Sequence, residues 1–242
     1  MSAEKHHYVP EWYQRRFLPV GAKDNNLWYL DCLPQPIPHL GGYHYEKNPR
    51  RRGPDVSFHE PGLYMLHFGK LTTDVMERDF FGEIDRIGQL AVTAMSDFVF
   101  TKTASPNIQH LVQYLDAQKM RTPKGIDYLK AVAKTNDHET AVHLIRYLSQ
   151  MHVTIWMEGV WEVFRLDHTK TKLLLTDHPV TCYNRHIAPG DAGCKHPFEP
   201  GIDLIGTQTL FPLGPERLLV ISNLQFVRNH WINGKSLSLN KD

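Results

Sequence analysis

Val75–Phe98 reads VMERDFFGEIDRIGQLAVTAMSDF. Its apolar residues Phe80, Phe81, Ile84, Ile87, Ala91, Ala94, Met95 and Phe98 recur at the three-and-four spacing of one helix face, with Asp74 placed as an N-cap. Downstream the helical pattern continues. A serine cap and a first-turn proline at Ser105-Pro106 open a helix carrying Ile108, Leu111, Val112 and Leu115 towards Arg121, where Pro123 should stop or bend it. Asp127–Ala133 predicts a short third helix and Glu139–Met157 a longer fourth, led by Asn136 and Asp137. Beyond Gly159 the period changes. Trp161–Leu166 and Lys172–Thr176 flank a polar turn as a hairpin would, and Thr207–Pro212 with Arg217–Ser222 makes a second pair. Helices followed by strands predict an α+β fold: one domain over 1–242, with a central helical segment at about 75–157 and an antiparallel β region at about 160–223.

Upstream of the helix the pattern is weaker. Leu27–Asp31 reads as a strand after the turn residues Asp24-Asn25-Asn26. Residues 33–62 carry prolines, glycines and Arg50-Arg51-Arg52 with little periodicity, and predict a long irregular basic loop, exposed and mobile. Asn184–Gly201 reads as a surface excursion.

With 242 residues, 41% of them hydrophobic and 22% charged, the chain has the balance of one large globular domain. A formal net charge of +1 offers no whole-molecule attraction to a polyanion, so a nucleic-acid partner would need local patches. No apolar run approaches the roughly 18 to 20 residues of a membrane span, and the start lacks the apolar core of a signal peptide. Membrane partners are not expected, and a cytoplasmic location is. Cys32, Cys182 and Cys194 are too few and too scattered for a disulfide framework or a zinc knuckle.

Fifteen histidines invite a metal centre, but none has the spacing of a zinc helix, and His138 and His143 fall on different helix faces. No cofactor is expected, a divalent metal entering only as weak assistance. Arg146 and His152 have the spacing seen in ribonucleases of the HEPN class, although Tyr147 replaces the usual polar residue after the arginine. There is no Gly-x-Ser-x-Gly elbow, Gly-x-Gly-x-x-Gly turn or P-loop.

Three dense segments remain: His6-His7-Tyr8-Val9-Pro10 through Phe17, Gln118–Pro123, and Thr176-Asp177-His178-Pro179, the last expected to end a strand. They supply a toolkit for proton transfer and anion binding. His7 would shuttle a proton and Asp177 orient it, while Arg16, Gln118, Arg121 and Arg51 would hold substrate. The structural alternative is a buried ion pair through Arg121 and Asp177 that ties helix to sheet. The expected activity is nuclease-like cleavage of a nucleic-acid phosphodiester. A non-catalytic module that recognises an anionic ligand, nucleic acid or protein is the alternative.

These segments, with Phe211-Pro212-Leu213-Gly214-Pro215-Glu216-Arg217-Leu218-Leu219-Val220, resemble the successive blocks of a bacterial and fungal family catalogued as domain of unknown function four-two-three-eight. The resemblance spans nearly the whole chain and implies a shared fold and site, with His7, Gln118, Arg121 and Asp177 at the family's positions. It carries no activity. Two departures stand out: His178 replaces a small polar residue, and relatives tend to continue past Asp242, so a C-terminal element is expected to be absent.

Overall fold

The computed structural model describes residues 5–22, 24–39, 42–46, 48–97, 104–150, 152–195 and 199–223. The chain opens with β1 (Lys5–His7) and α1 (Glu11–Arg15). Seven short strands and one 3-10 turn follow: β2 (Leu27–Tyr29), β3 (Ile37–His39), β4 (Gly42–His44), β5 (Arg50–Arg52) and β6 (His59–Pro61), then β7 (Leu66–Phe68) and, past it, β8 (Leu71–Thr73). Antiparallel two-stranded ribbons join β1 to β6, β2 to β5, β3 to β4 and β7 to β8. Residues 33–62 are therefore not an irregular loop, and Arg50-Arg51-Arg52 is a paired strand. Three-residue strands punctuated by proline are too short for a period of two to show in sequence.

The helical segment begins with a π-helical stretch, Met76–Phe81, that runs into α2 (Gly82–Asp97), so the Val75–Phe98 expectation holds except that Phe98 lies outside the described residues. Asp74 does not cap through its side chain. Its carboxylate takes Arg78 Nη1 at 3.3 Å while its carbonyl accepts the Glu77 and Arg78 amides. Next comes α3 (Ala104–Arg121), which ends where the sequence places it. Pro123 then opens α4 (Pro123–Ala133), because Thr122 Oγ1 accepts the Gly125 amide at 3.1 Å as a cap and proline suits a first turn. The expected long fourth helix is two: α5 (His138–Tyr147), capped by Asp137, and α6 (Val153–Met157). The break has a tertiary cause. His152, just before α6, is drawn to Asp116 of α3 at 2.6 Å, and a buried charge-assisted contact outweighs helix propensity. α2 and α3 approach closely at Gly88, where a Cβ would lie 2.4 Å from the Tyr114 ring.

The C-terminal half supplies the main sheet: β9 (Val160–Arg165), β10 (Thr181–Tyr183), the small ribbon β11 (Cys194–Lys195) and β12 (Glu199–Pro200), then β13 (Gln208–Gly214) and β14 (Arg217–Ser222). Strand order is β10-β13-β14-β9, antiparallel throughout. The β13–β14 hairpin matches the sequence expectation, but the earlier one does not form. β9 pairs with β14, and Lys172–Thr176 stays outside the sheet, anchored where the Leu173 amide meets the Pro215 carbonyl at 2.8 Å. Thr176–Pro179 consequently ends no strand and instead leads into β10.

Two cores hold these layers. Tyr13, Val92, Leu111, Leu115, Trp156, Phe211 and Leu219 fill the space between α2, α3 and the sheet; Tyr64, Phe81, Met120, Leu129, Val142 and Ile145 join the helices to the β6–β8 region. Among the described residues no helix is long and apolar enough to cross a membrane.

Candidate functional site

Alternation along β1 separates the two N-terminal histidines. His6 is fully buried, stacks on the Tyr64 ring at 5.5 Å and accepts the Tyr64 amide on Nδ1 at 2.8 Å. His7 takes the other face, where its strand partner is His59 of β6. Their rings meet edge to face with centroids 5.4 Å apart, and Glu11 Oε1 lies 3.8 Å from His7 Nε2. His7 Nε2 and His59 Nδ1 are both shielded and have no hydrogen-bond partner among the described residues. Burial, and then the positive fields of His7, Lys5 and Arg52, push His59 below the ordinary imidazole range, against a small opposing pull from Asp55.

Asp177, expected to orient His7, is exposed, and among the described residues no hydrogen bond or ion pair joins the two. It lies instead in the field of the Tyr8 hydroxyl, whose pKa is raised by burial and then by Tyr29, Asp177 and Glu60. His59, not Asp177, is the group that stands against His7.

Gln118 and Arg121 do meet, one helical turn apart on α3, but they face inward. Gln118 Oε1 accepts from Arg121 Nε at 2.8 Å, and Gln118 Nε2 donates to the Tyr8 carbonyl at 2.8 Å. The fully buried Arg121 forks onto Asp85 of α2 at 2.8 and 3.1 Å and lies 5.4 Å from the Phe81 ring. Burial works against the guanidinium charge, and the Asp85 carboxylate outweighs it, so Arg121 stays protonated. Arg121 does form an ion pair, but with Asp85 and not Asp177, so it ties helix to helix rather than helix to sheet. Arg16 is likewise committed, donating to the Leu213 carbonyl at 2.8 Å and to Ser96 Oγ at 2.6 Å. Each of these three side chains joins α1, α2 or α3 to a neighbour. Arg51 remains at the surface, where it bonds Asp24 Oδ1 at 2.5 Å and lies 5.4 Å from the Trp28 ring.

A second cluster uses the neighbours of the expected residues. Lys119, Lys124, His178 and Glu199 line a cavity of about 60 Å³ between α3, α4 and β12. Lys119 Nζ donates to Glu199 Oε2 at 2.5 Å and to the Val180 carbonyl at 3.2 Å, and Lys124 Nζ donates to Glu199 Oε1 at 2.7 Å. His178 Nδ1 shares a hydrogen bond of 2.6 Å with Thr122 Oγ1. Glu199 therefore ties the supposed surface excursion 184–201 back to the helices. Burial favours its neutral form, yet Lys119, then His178, and the lysine hydrogen bonds prevail and hold it at about 2. Burial, reinforced by Lys119, lowers His178 to about 3. Deeper still, His152 and Asp116 are both buried, whereas Arg146 is exposed on α5, so the HEPN-like pair does not share a helix.

This cluster predicts a pH response. An unfolded histidine takes up a proton near 6.5, whereas folded His178 resists until about 3, so acidification favours unfolding progressively across that interval. Glu199 has the opposite sign of charge: its stabilisation is complete above about 4.5 and is lost only as pH falls towards 2. Urea unfolding at pH 7 and pH 4.5 should show wild type losing more stability than a His178→Gln variant. Equal losses would contradict the neutral, buried assignment.

Among the described residues no three His, Cys, Asp or Glu side chains stand together in a way that could hold a metal ion. The sequence reading missed His59, Lys119, Thr122 and Glu199; only the density of the Gln118–Pro123 and Thr176–Pro179 segments signalled that second cluster. Comparison of the chain with protein-family models, with curated proteins and with solved structures finds no match.

Proposed function

We propose that the chain cleaves single RNA phosphodiester bonds through the His7–His59 pair. The observation that carries this reading is the cross-strand position of two partly exposed imidazoles, one of them tuned to stay neutral, with Lys5 and Arg52 close enough to supply positive charge. The Lys119–Glu199–His178 cluster suits catalysis less well, since its charged groups already satisfy one another around a small enclosed cavity.

Neutral His59 takes the proton from a ribose 2′-hydroxyl as its oxygen attacks phosphorus. The P–O5′ bond breaks, and the leaving oxygen takes a proton from His7. The products are a 2′,3′-cyclic phosphate and a 5′-hydroxyl, with each imidazole ending in the protonation state the other began in. Arg52 and Lys5 offset the charge that develops on the non-bridging oxygens. The dense sequence blocks meet one another in space: Tyr13 Oη donates to the Pro212 carbonyl at 2.5 Å, Gln118 reaches Tyr8, and Thr122 meets His178.

Incubation of end-labelled RNA with the purified protein in a chelator should give cyclic-phosphate ends, while DNA and 2′-O-methyl RNA of the same sequence stay intact. Cleavage of the 2′-O-methyl strand, or no cleavage of RNA, would overturn the proposal. The second outcome, with RNA still bound, would favour the recognition module.

A further inference from the structure

Pairing of β2 with β5 sorts the three arginines onto two faces. Trp28 opposes Arg51, and Tyr29 opposes Arg50, so Arg51 shares the outer face with Trp28 while Arg50 and Arg52 share the inner one with Tyr29. Both inner guanidiniums lie against the same ring, Arg50 at 5.5 Å and Arg52 at 5.1 Å from the Tyr29 centroid. Tyr29 is itself fixed against Phe58, 5.7 Å away and next in sequence to His59. Two residues apart on one strand, Arg50 and Arg52 stand about 6.6 Å from each other along the chain, and the nearer one acts electrostatically on His59. An open hollow bounded by Glu46, Arg50, Arg51, Arg52 and Val56 continues outward from this row.

We propose that Arg50 is a phosphate subsite for the nucleotide next to the one being cut, with Arg52 at the scissile phosphate. This rests on the RNA-cleaving reading above and extends it to substrate length: the preferred substrate is a single strand that continues past the cleaved bond. A guanidinium held over an aromatic ring is partly ordered before substrate arrives, which suits a planar donor meant for a phosphate. Glu46, whose side chain is 54% exposed, pairs with Arg50 in the free protein and is the anion a phosphate would displace. Arg51 also borders the hollow, but its guanidinium is already taken by Asp24 and the Asn26 carbonyl and lies over Trp28 rather than Tyr29.

The test compares a dinucleoside monophosphate with a twelve-nucleotide single strand. Arg50→Ala should lower kcat/KM for the long substrate by about tenfold or more, the size of one charge-assisted contact, and leave the dinucleotide rate unchanged. Glu46→Gln should tighten binding of the long strand, and Arg51→Ala should do neither. Equal losses on both substrates, or no loss on either, would overturn the subsite. Binding of the long strand to a His59→Ala protein, followed by anisotropy, keeps the two ideas separable. There Arg50→Ala should reduce the salt slope by about one, and an unchanged slope would overturn the subsite even if cleavage proceeds. Loss of slope in a protein that never cleaves RNA would instead sink the catalytic reading and leave the phosphate contact standing.

Discussion

Replacing His59 by alanine is expected to slow RNA cleavage by about 10²- to 10⁴-fold, the contribution of a positioned acid or base, and His7→Ala should do the same. The double variant should be little worse than either single one, because groups that act in the same step are not additive. A base must be neutral to accept a proton, so the rate should fall on the acid side as His59 becomes charged. Since burial and the neighbouring cations lower His59, that fall should begin below the ordinary imidazole value near 6.5. Neutralising a cation should move it back: Arg52→Gln or Lys5→Gln should shift the acid limb towards higher pH, a readout that a merely structural contact would not alter. Asp177→Asn, at an exposed position with no bond to His7, should leave the rate within a few fold. Thermal melts must accompany the kinetics. Full activity in a folded His59→Ala protein would end the imidazole-pair mechanism.

Legibility in the sequence followed the length of each element. The Val75–Phe98 pattern is long enough for its period to be unmistakable, and α2 lies where that pattern puts it. β13 and β14 were equally plain, since Leu213-Gly214-Pro215-Glu216 joins two apolar runs and closes the hairpin locally. β9 forms where Trp161–Leu166 reads as a strand, but its pairing was not legible, because a strand's partner is not written in its own residues. Lys172–Thr176 is just as apolar as β14, and only the completed sheet decides between them. The site shows the same division. Dense segments pointed to α1, the end of α3 and the 176–179 turn, which do converge, but neighbouring positions in a segment face opposite ways. Arg121 turns inward to Asp85, with Gln118 bonded to it, while Lys119 turns to the cavity and Thr122 to His178; His178 is buried where Asp177 is exposed. His59 could not be foreseen, as its partnership with His7 depends on the register of two strands of three residues each.

The Arg121–Asp85 pair should show the largest effect on stability. Asp85→Ala leaves a fully buried guanidinium facing only Gln118 and two aromatic rings, and breaking a buried pair in this way costs about 3 to 5 kcal/mol. That is a large part of the 5 to 15 kcal/mol typical of a whole domain, so the variant should unfold at much lower urea and with no change in cooperativity. Arg121→Met should cost less. It removes the charge together with the need to hold it, and a methionine fills much of the volume between Phe81 and Tyr114. Combining Asp85→Leu with Arg121→Met should therefore recover most of the loss, because an apolar pair of similar volume avoids the desolvation that the ion pair must offset. Gln118 limits that recovery: its Oε1 would lose both guanidinium donors and keep only the Tyr114 hydroxyl at 3.4 Å, while Nε2 still holds the Tyr8 carbonyl. A triple variant with Gln118→Leu tests this point, and it should free Tyr8 and the adjacent His7 strand end, lowering cleavage more than stability. If Asp85→Ala instead costs under about 1 kcal/mol, as exposed pairs do, then α2 and α3 are held by apolar packing, including Gly88 against Tyr114, and the ion pair adds little.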